Sequence, residues 1–291
     1  MKAALLPDRG VVKVAGAEAR SFLNGLLTAD LTQMTPQTAK FAALLTPQGK
    51  IIADCIVVES VGAFLLDCPL ELAQTLADRL KFYRLRAKIE IENLSGQRAV
   101  AAVWDGAVTN ADIVIYSDPR LAALGQRIVM AAELAPRFAA MVGAEPADAQ
   151  AYEAHRIALG VPRGGPDFAY GDAFPHEADM DQLNGVDFDK GCYVGQEVVS
   201  RMEHRGTARN RVVPVTVDGE APASGAPVMA GGKQIGVTGS AIGNRGLALV
   251  RLDRVADAHA ARQAITAGQA ILRPRKPDWA RFAFPDERAA E

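Results

Sequence analysis

Short apolar runs and helix-spaced apolar positions follow one another through the first 160 residues, which predicts mixed strands and helices. Residues 10–14 read as a strand, and 17–27 as a helix carrying Phe22, Leu23, Leu26 and Leu27. Residues 41–45, 51–58 and 63–66 read as an antiparallel meander, with Thr46-Pro47-Gln48-Gly49 as a type I turn between the first two. Leu72, Leu76, Leu80 and Tyr83 predict a helix over 71–83, and the alternation at 87–92 a half-buried strand. Further strands are predicted at 98–104, 113–116 and 126–131, then a helix over 148–159 that Gly160 and Pro162 end. Residues 164–189 show no sustained period and read as a long irregular connection, the kind that carries function or motion. Beyond Gly206 the texture changes to short strands at 212–217, 226–229, 234–237 and 247–252 with glycine-bearing turns. The expected division is a region 1–206, itself of two subdomains, and a β domain 207–291.

The connection leads into Asp189-Lys190-Gly191-Cys192-Tyr193-Val194-Gly195-Gln196-Glu197, the most chemically loaded stretch of the chain. Val194, Val198 and Met202 recur every fourth residue, predicting a helix that starts at the cysteine and stops at Gly206. A thiol at a helix start beside Lys190, with Arg201 and Arg205 further on, has the electropositive setting that lowers a cysteine pKa. Gly191 and Gly195 allow close approach to the backbone. Cys192 is therefore the candidate reactive group, whereas Cys55 sits in an aliphatic strand and Cys68 at a strand end, both as packing.

Composition narrows the alternatives. The 291 residues carry a net charge of −2 and 49% hydrophobic residues, which suits a globular core and gives no general pull toward nucleic acid or membranes. No apolar run approaches a bilayer span. Three widely spaced cysteines and a start without a hydrophobic signal core lead to the expectation of a cytoplasmic protein. The four histidines show no metal-ligand spacing, and Asp172 to Asp181, with His176 and Asp179, reads as a solvated acidic face. Within it Glu177 is set apart as a carboxylate able to pair with an amidine-like ring edge. Arg201, Arg205, Arg209 and Arg211 read as a solvated basic surface or as a grip on an anionic small molecule. Gly231-Gly232 and Gly236-x-x-Gly239 read as turn glycines.

The segment 190–197 with Arg201 downstream resembles the signature of the YgfZ family, folate-binding relatives of the glycine-cleavage T-protein. Further matching stretches are Phe22-Leu23-Asn24-Gly25-Leu26-Leu27-Thr28-Ala29-Asp30-Leu31, Leu45-Thr46-Pro47-Gln48-Gly49-Lys50-Ile51, His155-Arg156 with Gly160-Val161-Pro162, Pro175-His176-Glu177, and Leu183-Asn184-Gly185-Val186-Asp187-Phe188. The resemblance implies an α+β fold: a T-protein-like ring with an α/β folate-binding portion of antiparallel sheets and helices plus a small C-terminal β barrel. It also implies a tetrahydrofolate site formed by Glu177, Lys190, Tyr193, Gln196, Glu197 and Arg201, with Cys192 as the working thiol. A pterin offers N–H donors to a carboxylate, and its glutamate tail offers carboxylates to arginines.

The implied function is an accessory role in iron–sulfur cluster assembly or repair, serving client enzymes that include tRNA-modifying ones. One thiolate cannot complete the four-cysteine ligation of a usual cluster, so Cys192 would either hold a cluster only transiently or exchange thiols with a partner. Partners would be folate and iron–sulfur client or assembly proteins, without direct nucleic-acid binding. The alternatives are a folate-dependent one-carbon transferase and a sensor or scaffold without folate. An aminomethyltransferase needs an acidic residue after the third strand, and Asp67-Cys68-Pro69-Leu70-Glu71 offers no convincing equivalent.

Overall fold

A computed structural model describes residues 1–36, 38–109, 113–206 and 208–285. The chain forms two units, Met1–Glu153 with Leu183–Gln196, and Ala154–Gln182 with Glu197–Glu291. The first contains β1 (Lys2–Leu5), β2 (Arg9–Ala15), α1 (Ala19–Asn24), β3 (Ala39–Leu45), β4 (Ile51–Ser60), β5 (Ala63–Pro69) and α2 (Leu70–Tyr83). It continues through β6 (Glu90–Asn93), β7 (Arg98–Trp104), β8 (Val114–Ser117), β9 (Gln126–Ala131), α3 (Phe138–Met141), β10 (Glu145–Ala147) and the start of α4 (Ala149–Ala158). Two five-stranded sheets result, in the orders β10-β1-β7-β9-β8 and β3-β4-β5-β2-β6.

The second of these sheets carries the larger core of the unit. Its aliphatic face meets α2, whose Ala73, Leu76, Ala77 and Leu80 are buried against Val12, Val14, Leu44 and Leu66. Each fully buried leucine there contributes about 1.5–3 kcal/mol. Helix α1 is shorter than the expected 17–27. Leu26 and Leu27 both turn back to the Leu23 carbonyl, at 3.1 and 2.9 Å, which closes the helix early. The chain leaves α2 through Leu85, a leucine at φ +46° and 87% exposed.

A buried ionic network joins the two sheets. Arg9 of β2 donates to Asp67 of β5 at 2.6 Å, and Arg127 of β9 reaches the other Asp67 oxygen at 3.1 Å. Tyr116 of β8 donates to the same oxygen at 3.0 Å. Arg127 also meets Asp118 at 3.3 Å, which Arg120 binds through two nitrogens at 2.9 and 2.7 Å. Asp67 is the lone acid in a buried apolar strand, and every carboxylate oxygen in this chain of contacts has a donor. A buried carboxylate survives only under such conditions.

The second unit takes the rest of α4, the connection expected at 164–189 as far as Gln182, and α5 (Gln196–Arg205) from Glu197 on. It then adds β11 (Asn210–Asp218), β12 (Pro227–Ala230), β13 (Lys233–Ile242), β14 (Arg245–Arg251), α6 (Leu252–Ala260), β15 (Ile265–Ala267) and β16 (Ala270–Pro274). Its six strands close into a barrel in the order β11-β14-β13-β12-β15-β16, all inside the 207–291 segment expected to be a β domain. Gly236 and Gly239 lie within β13 rather than in a turn: a Cβ would meet the Leu249 carbonyl at 2.2 Å in one case and Asp167 at 2.4 Å in the other. Asp167 accepts from Arg156, from the Arg163 N–H and from the Ser240 N–H at 2.7–2.8 Å, tying the connection to α4 and to the barrel. The helix α6 and the strands β1, β10, β15 and β16 had no counterpart in the sequence-based reading.

Two stability predictions arise here. Val61 and Gly62 form the two-residue turn between β4 and β5 with φ of +45° and +72°, where a β-branched residue is strained. Val61→Asn is expected to stabilise the protein by about 1 kcal/mol in denaturant unfolding. Burial alone would raise the Asp118 pKa, but Arg120 and then Arg127 outweigh it and hold the group at about 2, below the ordinary 3.8. With the folded value depressed, this contribution is complete above about pH 4 and is lost as pH falls through about 2, amounting to about 2 kcal/mol. Unfolding measured from pH 2 to 6 should show that acid limb, and Asp118→Asn should flatten it.

Candidate functional site

The loop bearing Cys192 is held on both sides by features that the backbone dictates. On one side, the Lys190 ammonium donates to three carbonyls at and just past the end of α1: Asn24 at 2.7 Å, Leu27 at 2.7 Å and Ala29 at 2.8 Å. A cation at these carbonyls meets the negative end of the helix dipole, and its three protons are all used. Burial lowers the Lys190 pKa to about 8, against the opposing pull of Asp30 and Asp187. On the other side, Gly195 has φ +83°, and a Cβ there would lie 2.6 Å from the Thr46 carbonyl and 3.1 Å from Gly49 Cα. That turn forms as expected, with Gly49 N donating to Thr46 O at 2.9 Å.

The strap leading into the loop is stitched to the same segment. Thr28, fully buried, donates its hydroxyl to the Gly185 carbonyl at 2.5 Å and accepts from Ala43 N at 2.8 Å. Asp187 N donates to Thr28 O at 2.9 Å, and the Asp187 carboxylate receives the N–H groups of Asp189 and Lys190. Three of the matching stretches noted in the sequence, 22–31, 45–51 and 183–188, thus meet around residues 190–195. Thr28 was not singled out beforehand; its signal was a lone hydroxyl in an apolar run.

Between these anchors Cys192 is exposed, while Cys55 and Cys68 are buried. Burial pushes Cys68 up to about 12 and Cys55 well above the ordinary thiol value. Tyr193 is buried with its ring 5.2 Å from the Lys190 ammonium, and burial raises its pKa to about 12. Its hydroxyl has no hydrogen-bond partner among the described residues. Gln196 contacts the Lys190 carbonyl at 3.5 Å. The helix that was expected to begin at the cysteine begins at Gln196, so Cys192 precedes its first turn and Val194 packs into the first unit's core instead of continuing a stripe. The two features invoked to activate the thiol are therefore arranged differently, because Lys190 points to the α1 carbonyls.

Glu197 and Arg201 pair with each other on an exposed face of α5, and the helix ends at Arg205 before Gly206, at φ +56°. Glu177 belongs to the second unit, where its oxygens accept from Asn210 Nδ2 at 2.7 Å and Phe174 N at 2.9 Å. The segment expected to be a solvated acidic face is in fact packed around Arg211. That guanidinium binds Asp181 at 2.5 and 2.9 Å and Asp179 at 3.3 Å, and stacks on Phe282 at 4.8 Å. Burial raises the Asp179 pKa well above the usual carboxylate range despite Arg211. Arg211 is thereby a core residue rather than part of a basic surface. His176, Asp181 and Glu203 bring ligand atoms within 4.8 Å of one another, but Asp181 is already neutralised by Arg211. A cleft of about 740 Å³ in the first unit, lined by Lys13, Glu59, Glu92, Arg98, Ile115 and Met130, contains none of the expected site residues.

Comparison with known proteins gives the family. Residues 209–282 match the CAF17 C-terminal β-barrel domain. The chain is 33% identical to the mitochondrial iron–sulfur cluster assembly factor IBA57 of Homo sapiens, over 94% of this chain and 84% of that protein. It is 30% identical to the mitochondrial IBA57 homolog of Coccidioides immitis, over 87% of this chain and 72% of that one. The glycine cleavage system aminomethyltransferase T of Bartonella henselae superposes with a TM-score of 0.76 over 98% of this chain and 88% of its own, at 15% identity, which shows an aminomethyltransferase-like fold. These relatives overturn the cytoplasmic expectation, since they are named mitochondrial. Reduced, unpaired cysteines report a reducing environment and do not choose among compartments. They also correct the resemblance to YgfZ toward a close relative of that group: the chain belongs to the IBA57 family of iron–sulfur cluster assembly factors.

Proposed function

We propose that this protein serves iron–sulfur cluster assembly through Cys192, which takes a cluster or an iron site from one partner and passes it to another. The observation that carries this reading is the contrast among its three thiols. Cys192 is exposed on a loop anchored at both ends, while Cys55 and Cys68 are buried with raised pKa values. In the transfer, an Fe–S bond to a donor thiolate breaks as the Cys192 sulfur bonds to that iron, and the Cys192 proton goes to the departing thiolate. A single cysteine leaves the remaining ligand positions to the partner, which favours hand-over above storage.

Tetrahydrofolate is the ligand proposed beside this thiol. The buried Tyr193 hydroxyl, without a partner among the described residues, fits a polar ligand atom, because an unmet buried hydroxyl is costly. Tyr193 and the half-buried Gln196 would contact the ligand. Lys190 enters as a positioning residue, holding the loop to α1. A bound tetrahydrofolate brings a reduced pterin with N–H donors and carbonyl acceptors. The support for an aminomethyl transfer is weaker: Asp67, in the region where such chemistry needs an acid, is fully buried and locked by Arg9, Arg127 and Tyr116.

Cys192→Ser is expected to leave Tm unchanged and to abolish support of client cluster enzymes, including tRNA-modifying ones, in cells under oxidative stress; full client activity would refute the role. Tyr193→Phe is expected to weaken tetrahydrofolate binding by about 3- to 10-fold in calorimetry. The same variant should leave the rate of Cys192 alkylation unchanged, and equal affinity of the two proteins would remove Tyr193 from the site.

A further inference from the structure

The end of α2 and the turn after it carry a surface that the cysteine loop does not account for. Over residues 79–88 the chain reads Arg-Leu-Lys-Phe-Tyr-Arg-Leu-Arg-Ala-Lys, five cations and no acid, in a protein whose net charge is −2. Phe82 is 73% exposed and Leu85 is 87% exposed. Lys81 has a loose pair with Asp78 at 3.8 Å, whereas Arg84, Arg86 and Lys88 make no ion pair among the described residues. Leu85 moreover sits at φ +46°, a conformation that glycine or asparagine adopts with less strain. Two large apolar side chains in water among unpaired cations mark an interaction surface.

This turn and the Cys192 loop are tied to opposite ends of one short helix. Lys88 N donates to Glu18 Oε2 at 2.5 Å, just before α1, and Lys190 holds the carbonyls that follow it. Six residues of helix are about 9 Å long. A standard protein interface covers roughly 800 Å² per partner and so extends about 30 Å.

We propose that residues 81–88 form a docking surface for an acidic protein partner, its carboxylates meeting Arg84, Arg86 and Lys88 while Phe82 and Leu85 enter an apolar recess. The proposal rests on the assembly reading in one respect: the partner is one that exchanges cargo with Cys192. Charge complementarity selects an anionic partner. Two apolar side chains on one turn give a lipid surface little to bury, and an exposed leucine offers a nucleobase no π-face.

The test uses the full-length protein and a labelled synthetic peptide of alternating glutamate and aspartate interrupted by leucine and phenylalanine, followed by fluorescence anisotropy. The expected result is saturable binding that weakens at least tenfold in Phe82→Ser/Leu85→Ser, in Arg84→Glu/Arg86→Glu, and when serine replaces the peptide's apolar residues. Unchanged Tm and an unchanged rate of Cys192 alkylation show that these variants are folded. Cys192→Ser should bind the peptide normally, so loss of client support in that variant and loss of docking in the patch variants are read separately. Absence of peptide binding, or equal binding by the patch variants, would overturn the proposal. So would tighter binding of phosphatidylglycerol vesicles or of an oligouridine through the same residues.

Discussion

An ammonium group facing three backbone carbonyls decides where the loop bearing the candidate thiol lies. Asn24 ends a helix that stops early, and Leu27 and Ala29 follow it, so their carbonyls converge where no backbone donor among the described residues meets them. Lys190 satisfies all three from a segment more than 160 residues away in sequence. With its protons used there, the lysine has none left to donate to a ligand or a neighbouring thiol. It fixes the loop, and Gly195 fixes the other end by fitting where no Cβ can go. Tyr193 is drawn in against the ammonium and Cys192 is left outward. A thiol that must meet a partner's metal needs exposure and a fixed position together, and a loop pinned at both ends provides them.

That anchor is useful only if the sheet beneath it is rigid. The first unit secures its two sheets with charges rather than apolar contact alone, and each carboxylate there is met by an arginine. The cost of burying such groups is large, and removing one partner exposes it in full. The same network holds together the two sheets of an aminomethyltransferase-like fold. Asp67 is occupied in holding sheet to sheet, so a carboxylate in this strand has become part of the framework.

Much of the architecture was legible in the pattern of side chains. Strands 98–104 and 126–131 appear as expected because their buried faces are continuous and turn residues bound them. The short strands β1 and β10 carry too few residues for a period, and α6 begins within the apolar run that was read wholly as strand. In the site, the motif residues were visible but their roles were not. Lys190 next to a cysteine suggested charge acting on sulfur, whereas its partners are carbonyls, which leave no trace in a side-chain pattern. Asp179 and Asp181 looked solvated because Arg211, their partner, lies 30 residues on. Long-range pairing is what local spacing cannot express.

The difference between exposure and activation bears on the kind of chemistry Cys192 can perform. A nucleophilic enzyme cysteine has an adjacent base or a helix start directly behind it. Here α5 begins four residues later and Lys190 gives its protons to backbone carbonyls. Ligand exchange on iron makes a weaker demand, because the metal itself draws the proton off an approaching thiol. What it requires instead is a sulfur that protrudes, holds its place, and has room around it for a second protein. An exposed Cys192 on a loop held by Lys190 and Gly195 suits the hand-over proposed above better than it suits covalent catalysis.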